Sequence, residues 1–429
     1  MVHLTEQQES VTLFLDLLKS LVTGEPYCFT CIPSETVWRG LRVLCNYHNM
    51  NAIIYEQLRL SGIFEDCKPD QDSGLSQKEY FRLRAFRLIM MQMNRTMAFE
   101  DYYKEILKLG IKPLVVKGLI LRDCWPDGNM RISGDEDLLI QDEDYPKLRS
   151  FFLGRGFKQD KEEPGPGKGL PDEMGFEKAD EDIYYEVHRL LFSEDSVYFS
   201  RFNELYKDAF LDAEKCERGQ YQFYTLNPTK HLFFIVSHML KHFVMGGVGI
   251  RQLIDIIMFI RKYDQQIDRV LFKSLLQIFG LEVYWINLME ISRVYLGFEA
   301  AEYGMKFFES IEPDSADMLA DMLDAGIFGG TSIERMHSAN ITLEAAQKHG
   351  MSGRVKGIWR ALFPGRTYME RRYPLCKRSK WFLPAAYLRR FVDYACMRKK
   401  RLNVDAGDES ALRIGMQRAA LLEKYKIQG

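Results

Sequence analysis

The sequence lacks long apolar runs, a second pair of closely spaced cysteines, and an excess of charge of either sign. Its 429 residues contain eight scattered cysteines, and only Cys28 and Cys31 form a C-x-x-C pair. One such pair does not complete a zinc site, and a chain of this length does not need disulfides, so we predict reduced thiols. No stretch reaches about 18 uninterrupted apolar residues, which predicts that no segment spans a membrane. The polar, acidic residues 1–10 do not resemble a signal peptide, and we therefore expect a cytoplasmic protein.

The charge is nearly balanced over the whole chain but not along it. The formal net charge is −2, which argues against a general nucleic-acid or membrane binder. Residues 354–401 nevertheless carry 15 Lys and Arg against only Glu370 and Asp393, with aromatic residues between them. This segment could bind RNA or an acidic partner. A solvated helical face, on which Lys and Arg stems cover apolar surface, is the favoured interpretation. Nucleic acid therefore remains an alternative partner that we do not favour.

The order of sequence patterns divides the chain into three regions. Residues 1–110 have helical spacing, and Ser76 with Glu79 has the pattern of a capping box at the start of a long helix. Gly110 stands where a glycine commonly ends a helix. Residues 111–215 contain short apolar segments bounded by turn residues, and residues 216–429 again look helical. This order predicts an α+β fold in which a small mixed sheet is flanked by N- and C-terminal helical domains.

Three short strands are predicted in the central region, at 114–116, 137–140 and 182–188. The third alternates strictly, with Asp182, Tyr184, Glu186 and His188 on one face and apolar residues on the other. The strand therefore buries one face and can present a polar site on the other. A Pro/Gly-rich segment at 164–169 separates the second and third strands and reads as a loop.

Two aspartates open the second strand, Asp135 and Asp137. Residues two apart on a strand point to the same side, so both carboxylates can reach one divalent ion. The D-x-D pattern is common, and alone an acidic strand edge explains it. The Lys-Gly turn upstream and the polar strand face downstream favour a metal site completed by Glu186. Hard oxygen ligands suit Mg²⁺, with Mn²⁺ as the alternative.

The three carboxylates predict a division of roles. In a two-metal arrangement, Asp135 and Asp137 would bridge both ions, while Glu186 would hold the catalytic ion and help to deprotonate an attacking hydroxyl. All three are thus candidate catalytic and metal-binding residues. The prediction requires the Glu186 carboxylate to lie within about 8 Å of the aspartates, because metal–oxygen bonds are about 2.1 Å long.

Four further residues are candidates for contacting a nucleotide. Gly118 would allow the backbone of a strand-to-helix turn to approach a phosphate, and Lys117 could pair with that phosphate. A glycine turn with a solvated lysine is the simpler alternative. Arg131 could neutralise triphosphate charge or pair with Asp135. His188 could orient Glu186, contact a substrate, act as a base, or make only a structural hydrogen bond.

Other patterns favour structural roles. Residues 165–169 resemble a P-loop only superficially, since no Ser or Thr follows Lys168 and no apolar strand precedes the glycines. His231, His238 and His242 share one helical face, but no fourth zinc ligand is evident and packing is the favoured interpretation. Arg251 and Asp255, four residues apart, are predicted to form an ion pair.

With these residues assembled, the chain resembles the uncharacterised nucleotidyltransferase family of bacteria, within the polymerase-beta-like nucleotidyltransferase superfamily. The resemblance covers most of the chain from about residue 80. It consists of a strand ending in Lys-Gly, an Arg followed by D-x-D, a Gly-Phe pair, an E-x-H strand and a His-rich helix leading to Arg-x-x-x-Asp, found here at 115–118, 131–140, 156–157, 186–188 and 231–255.

The resemblance implies Mg²⁺-dependent transfer of a nucleoside monophosphate from an NTP to an acceptor that it does not identify. It implies that Asp135, Asp137 and Glu186 bind the metal and that the Lys-Gly turn lies near the triphosphate. Two alternatives stay open. One is a catalytically inactive protein that keeps the fold to bind a nucleotide or partner, and the other is an RNA-binding or RNA-modifying protein that uses residues 354–401.

Overall fold

The computed structural model describes residues 2–65, 75–160, 170–194, 196, 198–299, 302–304, 306–326, 418 and 420–427. The chain forms two units, Met1–Lys241 with Gly249–Ile327 and His242–Val248 with Phe328–Gly429. The segment 164–169 with Lys168 and the basic segment 354–401 lie outside the described residues. No helix within the described ranges is long and apolar enough to cross a membrane. Five cysteines in these ranges are free thiols, as predicted: Cys28, Cys31, Cys45, Cys124 and Cys216.

Among the described residues, four α-helices precede the sheet: α1 (Val2–Thr23), α2 (Glu35–Tyr47), α3 (Asn51–Leu60) and α4 (Gln77–Lys108). The predicted capping box at the start of α4 is confirmed. Ser76 accepts from the Glu79 amide, and the Glu79 carboxylate accepts from the Ser76 amide. Gly110 follows α4 with a φ of +80°, in agreement with its predicted role at the helix end. The N-terminal region is therefore helical, as its spacing predicts.

In the part of the chain that the structure describes, the central sheet has seven strands and mixed pairing. The strands are β1 (Leu114–Val115), β2 (Glu136–Leu139), β3 (Lys158–Gln159), β4 (Glu173–Lys178), β5 (Ile183–His188), β6 (Glu214–Arg218) and β7 (Tyr221–Thr225). Their order is β3-β4-β5-β2-β1-β7-β6. The β2–β5 and β1–β7 pairs are parallel, and the other pairs are antiparallel. Two helices are inserted between strands, α5 (Leu119–Arg122) and α6 (Tyr145–Gly154). The predicted α+β fold with a small mixed sheet is confirmed.

Aromatic packing of α4 and α6 covers one face of this sheet. Phe99 of α4 contacts Tyr185 of β5 and Phe223 of β7, while Phe152 of α6 contacts Phe176 of β4 and Tyr185. Tyr185 is 1% exposed. Because side chains alternate along a strand, burial of Tyr185 directs the neighbouring positions of β5 to the opposite face.

The sheet extends beyond the predicted core. Residues 214–225 form the β6–β7 hairpin, so the expectation that the chain becomes helical after about residue 215 was wrong for this segment. The edge strand β6 is mostly exposed and carries Glu and Lys, and it therefore lacks the apolar alternation that identifies a strand. Strand β4 was also missed, because charged residues occupy both of its ends.

The helices that follow the sheet include α7 (Pro228–Met245), α8 (Ile250–Tyr263), α9 (Arg269–Ile278), α10 (Glu282–Leu296) and α11 (Ala316–Ala325). His231 joins α7 to the sheet, since its Nε2 lies 2.7 Å from the Val116 carbonyl oxygen and its Nδ1 lies 3.2 Å from Thr225 Oγ1. Burial lowers the pKa of His231 to about 4, although the bond to Val116 opposes this shift. A neutral His231 thus anchors the backbone immediately before Lys117.

Candidate active site

The pairing of β2 with β5 brings two predicted carboxylates together. In this parallel pair Asp137 lies opposite Glu186, and His188 follows two residues later on the same side of β5. Ligand atoms of these three residues all lie within 4.8 Å of one another. The distance that a shared metal site requires between Glu186 and Asp137 is therefore met. Helices α4 and α6 cover the face of the sheet that carries Tyr185. The Asp137, Glu186 and His188 group therefore lies on the opposite face.

Asp135 stands beside this compact group rather than within it. It precedes β2, its side chain is 37% exposed, and its Oδ2 lies 3.8 Å from the Lys117 ammonium nitrogen. The three-residue group contains His188 in the place that the sequence prediction gave to Asp135. Asp135 as a metal ligand stays a prediction.

Lys117 lies at the centre of the negative charge. Its Nζ is 3.1 Å from Asp137 Oδ2 and 3.3 Å from Asp137 Oδ1. Burial alone would lower the pKa of Lys117, but the carboxylates of Asp137, Asp135 and Glu186 raise it above its ordinary value. The side chain is 19% exposed, so Lys117 is a charged ammonium in the site and not a solvated surface lysine.

Asp137 and His188 stabilise each other's charged forms. The side chain of Asp137 is 1% exposed, and its Oδ1 lies 3.2 Å from His188 Nε2. Burial would raise the pKa of Asp137, yet Lys117 and His188 hold it well below its usual value. Burial lowers the pKa of His188, whereas hydrogen bonds with Asp137 and Glu186 outweigh it and raise that pKa to about 9. In the metal-free protein at neutral pH, Asp137 is therefore ionised and His188 is protonated.

The donor set fits a divalent cation. Hard divalent cations prefer carboxylate oxygens as ligands. Asp137 and Glu186 supply two carboxylates from the adjacent strands β2 and β5. Asp137 Oδ2 is buried and accepts no hydrogen bond of good geometry from the described residues, although the Lys117 ammonium is close. A metal ion at this oxygen would share it with the Lys117 ammonium.

The Lys-Gly turn is shaped by a residue between the two aspartates. Gly118 has φ +52° and ψ −110°, and a β-carbon placed on it would lie 1.9 Å from Glu136 Oε2. That oxygen accepts from the Leu119 amide at 2.8 Å, while Glu136 Oε1 lies 2.5 Å from Arg122 Nη2. The first amide of α5 is therefore bonded to Glu136. Contact between Gly118 itself and a triphosphate stays a prediction.

Gly118→Ala is expected to destabilise the protein by about 2 kcal/mol, because this backbone conformation strains any residue with a β-carbon and the new methyl group would displace Glu136. The matched control is Gly134→Ala. Gly134 is sixteen residues further along the chain, has no positive φ, and has open space around its β-carbon position. We expect the control to change the free energy of unfolding by less than about 0.5 kcal/mol. Thermal unfolding of both variants measures this, and equal losses would contradict the proposed strain.

Arg131 is bound by a residue far away in the sequence. Its Nε and Nη2 donate to Asp255 of α8 at 2.6 and 2.8 Å, and the Trp125 indole also donates to Asp255 at 2.9 Å. Arg131 is 4% exposed and Asp255 is 2% exposed. The predicted Arg251–Asp255 pair was wrong, since Arg251 donates instead to the Ile132 carbonyl. A triphosphate contact by Arg131 stays a prediction, and two of its three guanidinium nitrogens are engaged with Asp255.

Further side chains hold the segment that leads into the aspartates. Ser133 donates its amide to Gln92 at 2.8 Å, its carbonyl accepts from Arg95 at 2.8 Å, and its hydroxyl accepts from Arg122 at 2.5 Å. Sequence reasoning missed Glu136, Arg122 and these partners. An acidic residue at a buried strand position was the only available signal, and it did not reveal its partner.

Comparison with known proteins gives a family match. The sequence profile of a family described as uncharacterised nucleotidyltransferase matches residues 34–297. No curated protein and no solved structure matches the chain. The matched range includes α4, the whole sheet, the Asp137 site and the Arg131–Asp255 pair.

Proposed function

The chain belongs to the uncharacterised nucleotidyltransferase family, which supports a nucleotidyltransferase activity in general, and on that premise we propose a specific reaction. The protein transfers a nucleoside monophosphate from an NTP to the hydroxyl of an acceptor, and the reaction requires Mg²⁺ or, as the alternative, Mn²⁺. The proposed catalytic region is the predicted core at 111–215, extended to Thr225 so that it includes the complete sheet.

The observation that carries this proposal is the pairing of Asp137 with Glu186. Two carboxylates on adjacent parallel strands, with Lys117 beside them, form a site of the kind that metal-assisted transfer of a phosphoryl group requires. Asp137 and Glu186 are proposed as metal ligands. Asp135, two residues before Asp137 and partly exposed, is proposed as a further ligand.

The bonds and charges of the reaction balance without a covalent intermediate on the protein. The acceptor oxygen attacks the α-phosphorus, a new phosphorus–oxygen bond forms, and the bond to the bridging oxygen breaks to release pyrophosphate. Glu186, which is partly exposed, is proposed to receive the hydroxyl proton. A bound divalent ion would neutralise charge on the phosphate oxygens and lower the pKa of the attacking hydroxyl. The protein contributes mainly orientation and electrostatic stabilisation.

Lys117 and the backbone around it are proposed to meet the triphosphate. The Lys117 ammonium is a fixed positive charge beside Asp137, and a pyrophosphate leaving group develops negative charge. Gly118 keeps the turn free of a side chain. Arg131, held by Asp255, contributes positive charge and fixes the segment that leads to Asp135. His188 contacts Asp137 and is proposed to lie next to the bound nucleotide.

Equilibrium binding of the four NTPs, with Mg²⁺ or with a chelator, tests this proposal. Glu186→Gln is expected to weaken Mg²⁺-dependent NTP binding about tenfold or more, because it removes a charged ligand. Glu177→Gln is the matched control, since Glu177 is an exposed residue on the neighbouring strand β4. The control should bind as the wild type does. A wild-type protein that binds no NTP in Mg²⁺ would refute the proposed reaction.

A further inference from the structure

His188 occupies the position of a third ligand in the carboxylate site. Its Nε2 lies 3.2 Å from Asp137 Oδ1 and 3.6 Å from Glu186 Oε2. With bonds of about 2.1 Å, two ligands of one ion are about 3.0 Å apart when adjacent in an octahedron, or about 3.4 Å apart in a tetrahedron. The two measured separations fall close to these values. The three ligand atoms lie within 4.8 Å of one another, so one ion that replaces the proton between Nε2 and Asp137 can contact all three once the side chains draw closer together.

The second ring nitrogen of His188 also faces a carboxylate, at a distance longer than a hydrogen bond. The side chain is 6% exposed, and its Nδ1 faces Glu173 Oε2 at 3.8 Å. Glu173 lies opposite His188 in the antiparallel pairing of β4 with β5. Metal-bound histidines commonly direct their other ring nitrogen at a carboxylate, which fixes the ring and increases its basicity. The ring thus points Nε2 at Asp137 and Glu186 and Nδ1 at a second-layer carboxylate.

We propose that His188 is a metal ligand, and that Asp137, Glu186 and His188 together select a first-row transition ion such as Mn²⁺ over Mg²⁺. This inference rests on the proposed function, because it concerns the metal of the same site. Mg²⁺ favours oxygen ligands and retains several waters, whereas an imidazole nitrogen is a better ligand for transition ions. The family match does not assign a nitrogen ligand to the site.

The competing role for His188 is that of a hydrogen-bond partner that only orients Asp137. In that role its nitrogen would stay outside the coordination shell, and an oxygen-only site would show little preference for Mn²⁺. The two roles differ in a spectroscopic property, because Mn²⁺ bound to imidazole shows a magnetic coupling to ¹⁴N that oxygen ligands cannot give. Activity is not needed to distinguish them.

The experiment uses the full chain, free of histidine tags, with Mn²⁺ alone as the probe. Pulsed electron paramagnetic resonance of the wild type should show ¹⁴N coupling, and His188→Gln should abolish it. Calorimetric titration with Mn²⁺ and with Mg²⁺ should give a Mn²⁺ preference of about tenfold or more in the wild type. That preference should be largely lost in His188→Gln, which offers an oxygen in place of the nitrogen.

Glu173→Gln is the second variant, because it perturbs the outer partner and leaves all three ligands in place. It should keep the ¹⁴N coupling while binding Mn²⁺ about tenfold more weakly. Wild-type Mn²⁺ binding without ¹⁴N coupling would overturn the inference and leave the proposed function intact. A wild type that binds neither Mn²⁺ nor Mg²⁺ in the presence of NTP would overturn both. If His188→Gln does not fold, the wild-type spectrum and Glu173→Gln still decide.

Discussion

Asp137→Asn is expected to reduce nucleotidyl transfer by about a thousandfold or more. A metal ion that neutralises transition-state charge contributes several kcal/mol, and about 4 kcal/mol corresponds to three powers of ten in rate. Asp137 is the ligand whose loss should be most severe, because its side chain is 1% exposed and it contacts Lys117 and His188 as well as facing Glu186. The measurement is transfer of label from an α-labelled NTP to an acceptor in cell extract, together with release of pyrophosphate.

Asp180→Asn provides the control for this substitution. Asp180 is exposed in the turn between β4 and β5. Its replacement by Asn is the same chemical change as in Asp137→Asn, made outside the site. The control should retain wild-type transfer. Circular dichroism of Asp137→Asn should match that of the wild type, because asparagine preserves the shape of the side chain. Transfer by Asp137→Asn within tenfold of the wild type would contradict the assigned role.

Asp255→Ala is expected to destabilise the protein by about 3–5 kcal/mol. It would leave the buried guanidinium of Arg131 without its partner, and an unpaired buried charge is far more costly than a lost surface pair. It would also remove the acceptor of the Trp125 indole. Urea unfolding followed by tryptophan fluorescence and by circular dichroism measures the loss.

The matched control is Asp142→Ala. Arg189 donates to Asp142 through Nε and Nη2 at 2.7 and 2.5 Å, which is the same bidentate geometry as in the Arg131–Asp255 pair. The Asp142 side chain, however, is 61% exposed, and an ion pair of this kind contributes about 1 kcal/mol or less. Comparable losses in Asp142→Ala and Asp255→Ala would show that burial of Arg131 does not set the energy of its pair.

Local patterns predicted the parts of the site that depend on neighbouring residues. The i, i+2 spacing of Glu186 and His188 places both on one face of β5 whatever surrounds the strand. The capping box at Ser76 depends on two residues three apart. The α+β fold followed from the order of helical and strand patterns. The pairing of β2 with β5, which brings Asp137 next to Glu186, is the tertiary information that these local patterns lacked.

Distant contacts were beyond the reach of the same reasoning. Arg131 and Asp255 are 124 residues apart, and the closer candidate partners, Asp135 for one and Arg251 for the other, were the wrong ones. Glutamate is a residue type expected at an exposed strand position. Glu136 is buried because it pairs with Arg122, which lies beneath the turn. Such pairs are set by tertiary packing, which sequence spacing does not encode.

The most direct measurement is anomalous diffraction from crystals of the full chain grown with Mn²⁺ and a non-hydrolysable NTP. We expect a Mn²⁺ peak about 2.2 Å from oxygens of both Asp137 and Glu186, with the nucleotide's phosphates on the same ion and near Lys117. A nucleotide bound elsewhere, or Mn²⁺ absent from Asp137 and Glu186 while nucleotide is bound, would contradict the assignment of this site.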